Sequence, residues 1–548
     1  MFIKELKVKN FKCFNGELVQ FCIPNGTEGS GLNILVGENN SGKSSILEAV
    51  YFLRNKTKKD FKRLNTEGEQ EFFVELTFTG EDIENVIDDF AQDNKKEAFK
   101  KCIHENEGEK IFAVKRSFKD DEEIKKILFL KEGTYENISG IDGSFQAFFQ
   151  ISNIWANTNP EDETRFGSAT ICGNLLSDIS DKFKVNHKDQ YNKFLDIFDT
   201  TFNSDTSGLQ KELNDVASET ETILNDQFGK AKLRFQFENP EPSILFKNIK
   251  IFVNDGQETD INQKGHGLQR AVVLSLLQVY AQRMSQSMNE EGEAIKKPHF
   301  LFIDEPELGL HPQAQKKLFN ALKILSKNHQ VFISTHSENF IASKLVKNII
   351  KYRKNDDNTS NSFSINKSSI DLNLKENRKF FYHHHKLFFT KKAIFVEGVD
   401  DYDRYPVFCE DNGFNELRKD FYLLAGCSDY SPFKDLCTKF GIKSFFLFDI
   451  DVLSKTNNAL KNYSSEIWQK IQKLNIETTK KNPTTLLDEN ITAEQKKLKY
   501  EIISDLQKDN IVVLSNGAIE QYISDDFQVS DDAKREELLN IFKYIEKN

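Results

Sequence analysis

Apolar and charged positions alternate with a period of two over residues 2–9, which predicts a half-buried strand. Residues 32–36, Leu-Asn-Ile-Leu-Val, predict a buried strand that runs into a glycine-bearing turn and then a helix from about Ser44 to Leu53. Residues 71–79, EFFVELTFT, predict another strand. From 81 to 230, charged and Phe-bearing stretches alternate with polar turns; this predicts a helical insertion without the sustained heptads of a long coiled coil. Strand patterns return at 232–237 and 244–253, followed by a helix from about Gly267, a strand at 299–303, a helix at 313–326 and a strand at 330–334.

Residues 354–379 are rich in Asn, Ser, Asp and Lys, the composition of a linker or surface loop. A second α/β rhythm follows, with strands at 393–396, 421–424, 444–448 and 511–514 and helices at 518–524 and 531–546. The pattern therefore predicts an α/β protein. Residues 1–80 and 231–353 form one core, and 81–230 is a helical insertion, assigned by elimination to dimerisation or partner contact. A linker at 354–389 leads to a second domain at 390–548, with inserted helices at about 453–509. A length of 548 residues agrees with several domains at roughly 100–200 residues each.

Composition narrows the class. No segment approaches the roughly 18–20 consecutive apolar residues of a membrane helix, so no membrane association is expected, and the first residues, Met1 to Glu5, carry charges where a signal peptide needs an apolar run. The 7 cysteines are scattered without a CxxC pair, which argues for a reducing cytoplasm and against a disulfide framework or zinc ribbon. The formal charge, 74 − 85 = −11, read alone argues against a generally basic nucleic-acid surface.

Two constellations change that picture. Gly37-Glu38-Asn39-Asn40-Ser41-Gly42-Lys43-Ser44, followed by Ser45, fits G-x-x-x-x-G-K-[ST] between a buried strand and a helix. Glycines there let backbone N–H groups wrap phosphates at a helix N-terminus, with Lys43 on the β/γ-phosphates and Ser44 on Mg²⁺. Phe300-Leu301-Phe302-Ile303 ends in Asp304-Glu305, a strand-end pair suited to a metal shell and an attacking water. Val331 to Ser334 repeats the pattern and leads to His336, in reach of a γ-phosphate.

These pieces, with Asn10-Phe11-Lys12, Lys264-Gly265-His266-Gly267-Leu268-Gln269-Arg270 and Gly309-Leu310-His311-Pro312, resemble the ABC-type ATPases in their SMC/RecF-like branch. The resemblance implies ATP binding, with Lys12 beside the nucleotide, Asp304 assisting the metal, Glu305 as general base and His336 as sensor. It also implies that Gly265, Gly267 and Arg270 belong to a signature loop acting on ATP held by a second protomer, hence a homodimer or higher homo-oligomer. The usual signature serine and double glycine are replaced by Gly-His-Gly.

The second constellation is acidic. Ala393 to Val396 ends in Glu397, with Asp401 soon after, and Phe445 to Phe448 ends in Asp449-Ile450-Asp451. Alternation puts Asp449 and Asp451 on one side of an extended chain, and parallel strands bring Glu397 to the same sheet edge. Such carboxylates repel one another unless cations sit among them, and oxygen-only ligands favour Mg²⁺ or Mn²⁺. Glu520, after the strand at 511–514, extends the set. This order resembles a Toprim domain, and an ABC-type ATPase followed by Toprim is similar to the OLD family of ATP-dependent endonucleases, which includes Gabija-type and retron-associated anti-phage effectors. The resemblance implies DNA cleavage to 5′-phosphate and 3′-hydroxyl ends, metal ligation by Glu397, Asp401, Asp449, Asp451 and Glu520, and a transition-state lysine, Lys534 or Lys543. It also implies a defence role with a second component, a protein or a retron-type nucleic acid. Cys427 stands where the family has the second Gly of a Gly-Gly turn.

Other signals point to bland roles. His383-His384-His385 lacks acidic or cysteine partners at ligand spacing and reads as an exposed helix face. The Phe145–Phe149 stretch reads as core or interface, and the lysines at 95–101 and 496–499 as solvated helix faces. A different class of function, an ATPase switch with a degenerate acidic cluster that binds DNA or a partner without cutting, predicts ATP turnover with no cleavage.

Overall fold

The computed structural model describes residues 1–55, 71–119, 127–138, 144–154, 187–204, 207–228, 232–238, 240, 249–273, 275–276, 279, 298–365, 384–424, 430–477 and 483–548. The chain divides into two compact units, Met1–Gln150 with Ile295–Phe300 and Ser326–Asn548, and Ile151–Ala294 with Leu301–Leu325.

The first unit opens with an antiparallel sheet. Phe2–Phe11 lies between Phe14–Gln20 and Glu71–Thr79, and the ladder continues through Glu109–Lys119, Leu128–Lys131 and Thr134–Glu136, with Ile103–Asn106 also paired to Glu109–Lys119. The expected all-helical character of 81–230 is thus corrected. Glu109–Lys119 reads EKIFAVKRSFK, a charged sequence, yet its ladder is satisfied on both sides. Two of its charges are accommodated within the fold: Lys115 Nζ lies 4.0 Å from the Phe73 ring centroid, and buried Arg116 donates to the Leu53 carbonyl at 2.6 Å. Phe78, Phe112, Phe145 and Phe149 join one buried aromatic cluster, so the Phe145–Phe149 stretch is core as expected.

A second sheet in this unit carries Leu32–Gly37 between the parallel strands Gln330–Ser334 and Ile349–Lys354. Ser360–Ser364 pairs antiparallel with Ile349–Lys354, so the expected linker at 354–389 begins with a hairpin. Its Asn, Asp and Thr residues make the turn: the Asp357 carboxylate accepts the Thr359 N–H at 2.9 Å.

The third sheet has 4 parallel strands in the order Phe421–Leu423, Lys392–Val396, Lys443–Phe448, Ile511–Val513. Ile394, Val396, Phe445 and Leu447 pack with Tyr405, Tyr522 and Phe542 in its core, which seats the C-terminal helix Asp532–Lys547. His384 is buried, not exposed as expected; Phe395, Tyr422 and Phe433 rings surround it at 5.8–6.1 Å. His383 lies outside the described residues. Lys499 is also fully buried, against the expected solvated face, because its ammonium finds the Leu486 and Ser515 carbonyls and Asp488.

In the second unit, helices Lys188–Phe202 and Gly208–Phe228 match the expected helical character. The expected strand at 232–237 is absent among the described residues. The Asn203 side chain bonds Phe237 N and O, and Gln210 bonds the Phe235 carbonyl, so helix side chains satisfy this segment in place of a ladder. Of the expected strand at 244–253, residues 244–248 lie outside the described residues, and Phe252–Asn254 pairs with Glu258–Asp260.

Candidate functional site

Parallel alignment pairs Val396 with Leu447 and Phe448 with Val513, so three adjacent strands end together, and each is followed by acidic residues. Glu397 follows the first. Asp401 lies in the first turn of helix Val399–Asp411, buried, with its carboxylate accepting the Gly398 N–H at 2.8 Å. Asp449 follows the second strand and accepts the Ile519 N–H at 3.1 Å. Glu520 is exposed on the short helix Ile519–Tyr522 after the third. The same-side argument for Asp449 and Asp451 is corrected: the chain leaves the strand at Phe448, and Asp451 sits in the 3-10 turn Ile450–Leu453. That turn forms because Ile450 N–H donates to the Gly517 carbonyl at 3.2 Å instead of extending the ladder.

Burial, and then the negative charges of Asp401, Glu397, Glu520 and Asp451, hold the Asp449 carboxyl well above the usual carboxylate range. As the side chains lie, no three acidic, His or Cys groups among the described residues close on one ion. The fit to a metal rests on the donor set: oxygen-only, mutually repelling, and placed at the carboxyl ends of parallel strands. Lys534 Nζ donates to the Gln521 carbonyl at 2.9 Å, beside Glu520, whereas Lys543 is exposed further along the same helix. The turn containing Gly426 and Cys427 lies outside the described residues.

In the same unit, Leu32–Gly37 delivers the phosphate-loop motif to helix Lys43–Asn55. Gly37 has φ +138°, and a Cβ there would lie 2.2 Å from the Tyr352 carbonyl, so only glycine fits. Asn40 adopts φ +59° at the exposed tip, beside Asn39. Ser41 and Gly42 are buried beneath it, and Ser44 and Ser45 are half-buried in the first helical turn. Lys43 is buried, and its ammonium donates to the Gly37 and Glu38 carbonyls at 3.1 and 2.7 Å. Lys12, with φ +50°, ion-pairs with Glu48 on the same helix. His336 follows Gln330–Ser334, and its ring centroid is 6.4 Å from that of Phe389.

The second unit holds Asp304 and Glu305. Asp304 is buried at its strand end, and Glu305 has φ +51°, a left-handed conformation that costs energy in a non-glycine residue. Arg270 secures it by donating to the Glu305 carbonyl at 2.9 Å and the Asp304 carbonyl at 3.4 Å. A Cβ on Gly267 would approach the Gly309 carbonyl at 3.3 Å, whereas Gly265 has open space around it.

Several contacts near these residues had no strong mark in the sequence. Lys391 Nζ pairs with Glu38 at 3.0 Å, Arg353 donates to the Gly441 carbonyl at 3.2 Å, and buried Lys351 donates to the Leu387 carbonyl at 3.4 Å and to that of Thr390. Burial pushes the Lys351 ammonium down to about 7. The one available signal was a lysine inside an apolar strand, Ile349-Ile350-Lys351-Tyr352.

Comparison with known proteins assigns a family to two parts of the chain. A family profile described as an AAA ATPase domain matches residues 1–341, and one described as an Overcoming lysogenization defect protein-like TOPRIM domain matches 388–451. The first span includes the phosphate loop, Asp304, Glu305 and His336; the second includes Glu397, Asp401, Asp449 and Asp451 but neither Glu520 nor Lys534. The chain is 27% identical over 443 residues to the Old nuclease of Escherichia phage P2, covering 77% of this chain and 73% of that protein. It is 22% identical over 626 aligned positions to Endonuclease GajA of Bacillus cereus (strain HuB5-5), covering 96% and 86% respectively. It is 26% identical over 247 residues to the OLD nuclease of Thermus scotoductus, covering 42% and 43%.

Proposed function

The chain belongs to the AAA ATPase domain family and carries an Overcoming-lysogenization-defect-like TOPRIM domain after it, and on that premise we propose that it is a metal-dependent DNA endonuclease governed by its ATPase module. The observation that carries the reading is the placement of Glu397, Asp401, Asp449, Asp451 and Glu520 beyond the carboxyl ends of parallel strands, with the Asp449 carboxyl raised by burial and its acidic neighbours.

Those five carboxylates would hold Mg²⁺ or Mn²⁺, which when bound supplies an activated water and neutralises charge on a phosphodiester. The protein's own share is positional. The Ile519 N–H fixes the Asp449 carboxylate, the Gly398 N–H fixes Asp401, and Lys534 offers a cation beside Glu520 for charge developing on the phosphate. In the ATPase reaction, Lys43 would bind the phosphates of ATP, Ser44 would be a ligand of Mg²⁺ and His336 would sense the γ-phosphate; Asp304 would assist the metal and Glu305 would take the proton of the attacking water. Lys12, Asn39, Asn40, Ser41 and Ser45 line the loop in this reading, and Gly265, Gly267 and Arg270 complete a composite site in a homodimer. The relatives named as nucleases support a nucleic-acid substrate, which we take to be DNA; we extend the reading to a role in anti-phage defence with a second protein or nucleic-acid component, acting in the cytoplasm. No helix among the described residues is long and apolar enough to cross a membrane.

Cleavage of supercoiled plasmid by wild type, Asp449→Ala and Asp451→Ala, titrated with Mg²⁺, Mn²⁺ and ATP, tests the reading. Metal-dependent cleavage lost in both variants is expected. Undiminished cleavage in both would overturn it. ATP turnover sensitive to Glu305→Gln, with no cleavage under any condition, would favour the switch reading instead.

A further inference from the structure

The loop that carries Glu520 is gripped from behind by two ionisable side chains that no step above uses. Ser515, at the root of the loop, has all three polar groups bonded. Its N–H donates to Glu537 Oε1 at 2.7 Å, its hydroxyl donates to Glu537 Oε2 at 2.8 Å, and its carbonyl accepts from the fully buried Lys499 ammonium at 3.0 Å. Glu537 Oε2 also accepts the Tyr522 hydroxyl at 2.7 Å, and that hydroxyl accepts the Asn516 N–H at 3.0 Å. One carboxylate thus ties both ends of residues 515–522, at Ser515 and at Tyr522. Charge-assisted bonds of this kind are shorter and stronger than neutral ones.

What the loop holds at its free side is the acidic cluster. The Gly517 carbonyl accepts the Ile450 N–H at 3.2 Å, between Asp449 and Asp451, and the Ile519 N–H donates to Asp449 Oδ1 at 3.1 Å. Glu520 is the next residue. Gly517 has φ +133°, a backbone conformation that side-chain-bearing residues rarely adopt. Glu537 is anchored in turn, because its helix packs Leu538, Ile541 and Phe542 into the domain core.

We propose that Glu537 is a positioning residue for the metal-binding carboxylates, acting through Ser515 and Tyr522 to set the loop 515–522 against Asp449 and Asp451. The proposal rests on the nuclease reading of that cluster. Its physical basis is that outer contacts orient metal ligands, and losing one typically weakens metal affinity by about 10–100-fold. A purely structural Glu537 would change stability without moving the metal requirement.

The test uses full-length protein and Mn²⁺-titrated cleavage of supercoiled plasmid, with Tm measured in the same buffer, for wild type, Asp449→Ala, Glu537→Ala, Glu537→Gln and Tyr522→Phe. Glu537→Ala is expected to raise half-saturating Mn²⁺ by at least about tenfold, while the rate at saturating Mn²⁺ stays within about threefold of wild type. Glu537→Gln and Tyr522→Phe, which keep part of the network, should show smaller shifts in the same direction. If Glu537→Ala does not fold, Tyr522→Phe, which loses one hydroxyl, decides the matter alone. Folded variants with wild-type half-saturation, beside an active wild type and an inactive Asp449→Ala, would overturn the positioning role and leave the nuclease reading standing. A wild type without metal-dependent cleavage, or an Asp449→Ala that cuts normally, would overturn both.

Discussion

Lys391 Nζ lies 3.0 Å from Glu38 Oε2, so the second residue of the phosphate loop is ion-paired to the residue just before the strand that Glu397 follows. Both side chains are partly exposed, so the pair is worth only about 0–1 kcal/mol to stability. Its consequence is in linkage. Lys391→Ala should leave the urea midpoint almost unchanged, yet reduce the difference ATP makes to plasmid cleavage by at least about threefold. Cleavage measured with and without ATP checks this; an intact ATP response would show that the pair transmits nothing.

Buried Lys351 makes the same junction sensitive to pH. Its folded-state pKa of about 7 lies below the ordinary 10.5, so between these values the unfolded chain binds the extra proton and stability rises with pH. The burial cost is fully present below about pH 7 and fades as pH climbs to about 10.5. Urea unfolding of wild type and Lys351→Met across pH 6–10.5 should therefore show wild type gaining on the variant by up to a few kcal/mol through this window. A constant difference between the two would contradict the assignment.

Arg270 holds the carbonyl of a left-handed Glu305. Arg270→Ala should relax that backbone and lower ATP turnover at least tenfold, on the order of what misplacing a general base costs. Nucleotide affinity, read by fluorescence titration of a labelled ATP analogue, should change far less. Equal losses in both would point to a role in binding instead.

Crowding around Asp449 predicts an effect of opposite sign on stability and on metal response. Its carboxyl is raised by burial and by its acidic neighbours, so its ionisation at neutral pH opposes folding when no cation is bound. Asp449→Asn should raise the metal-free Tm at pH 7.5 by about 1 °C, corresponding to about 1 kcal/mol in a chain of 548 residues. The same variant should lose the Tm increase that Mn²⁺ gives wild type. A variant that is less stable and still responds to Mn²⁺ would show that Asp449 neither repels its neighbours nor ligates.

Most of the candidate site is local and was legible in the chain. Gly37 to Ser44, Asp304-Glu305 and His336 each follow an apolar run, and the structure puts each after a strand. Glu397, Asp449 and Glu520 were found the same way. Two of the misreadings share a source: 103–136 looked helical because charged residues on a strand can be satisfied by neighbours far along the chain, as Arg116 is by Leu53. Lys499 looked solvated for the same reason, since its buried partners Leu486 and Ser515 lie 13 and 16 positions away.

The sequence by itself determined which residues stand at strand ends with side chains suited to phosphate or a divalent cation, because strand-end position and residue type are local properties. Only the tertiary structure decided how those residues are held: Glu537 on Ser515 and Tyr522, Arg270 on Glu305, Lys391 on Glu38. Each of these contacts joins residues brought together by sheet order and packing, and a hydrogen bond or ion pair acts over about 3 Å whatever the distance along the chain.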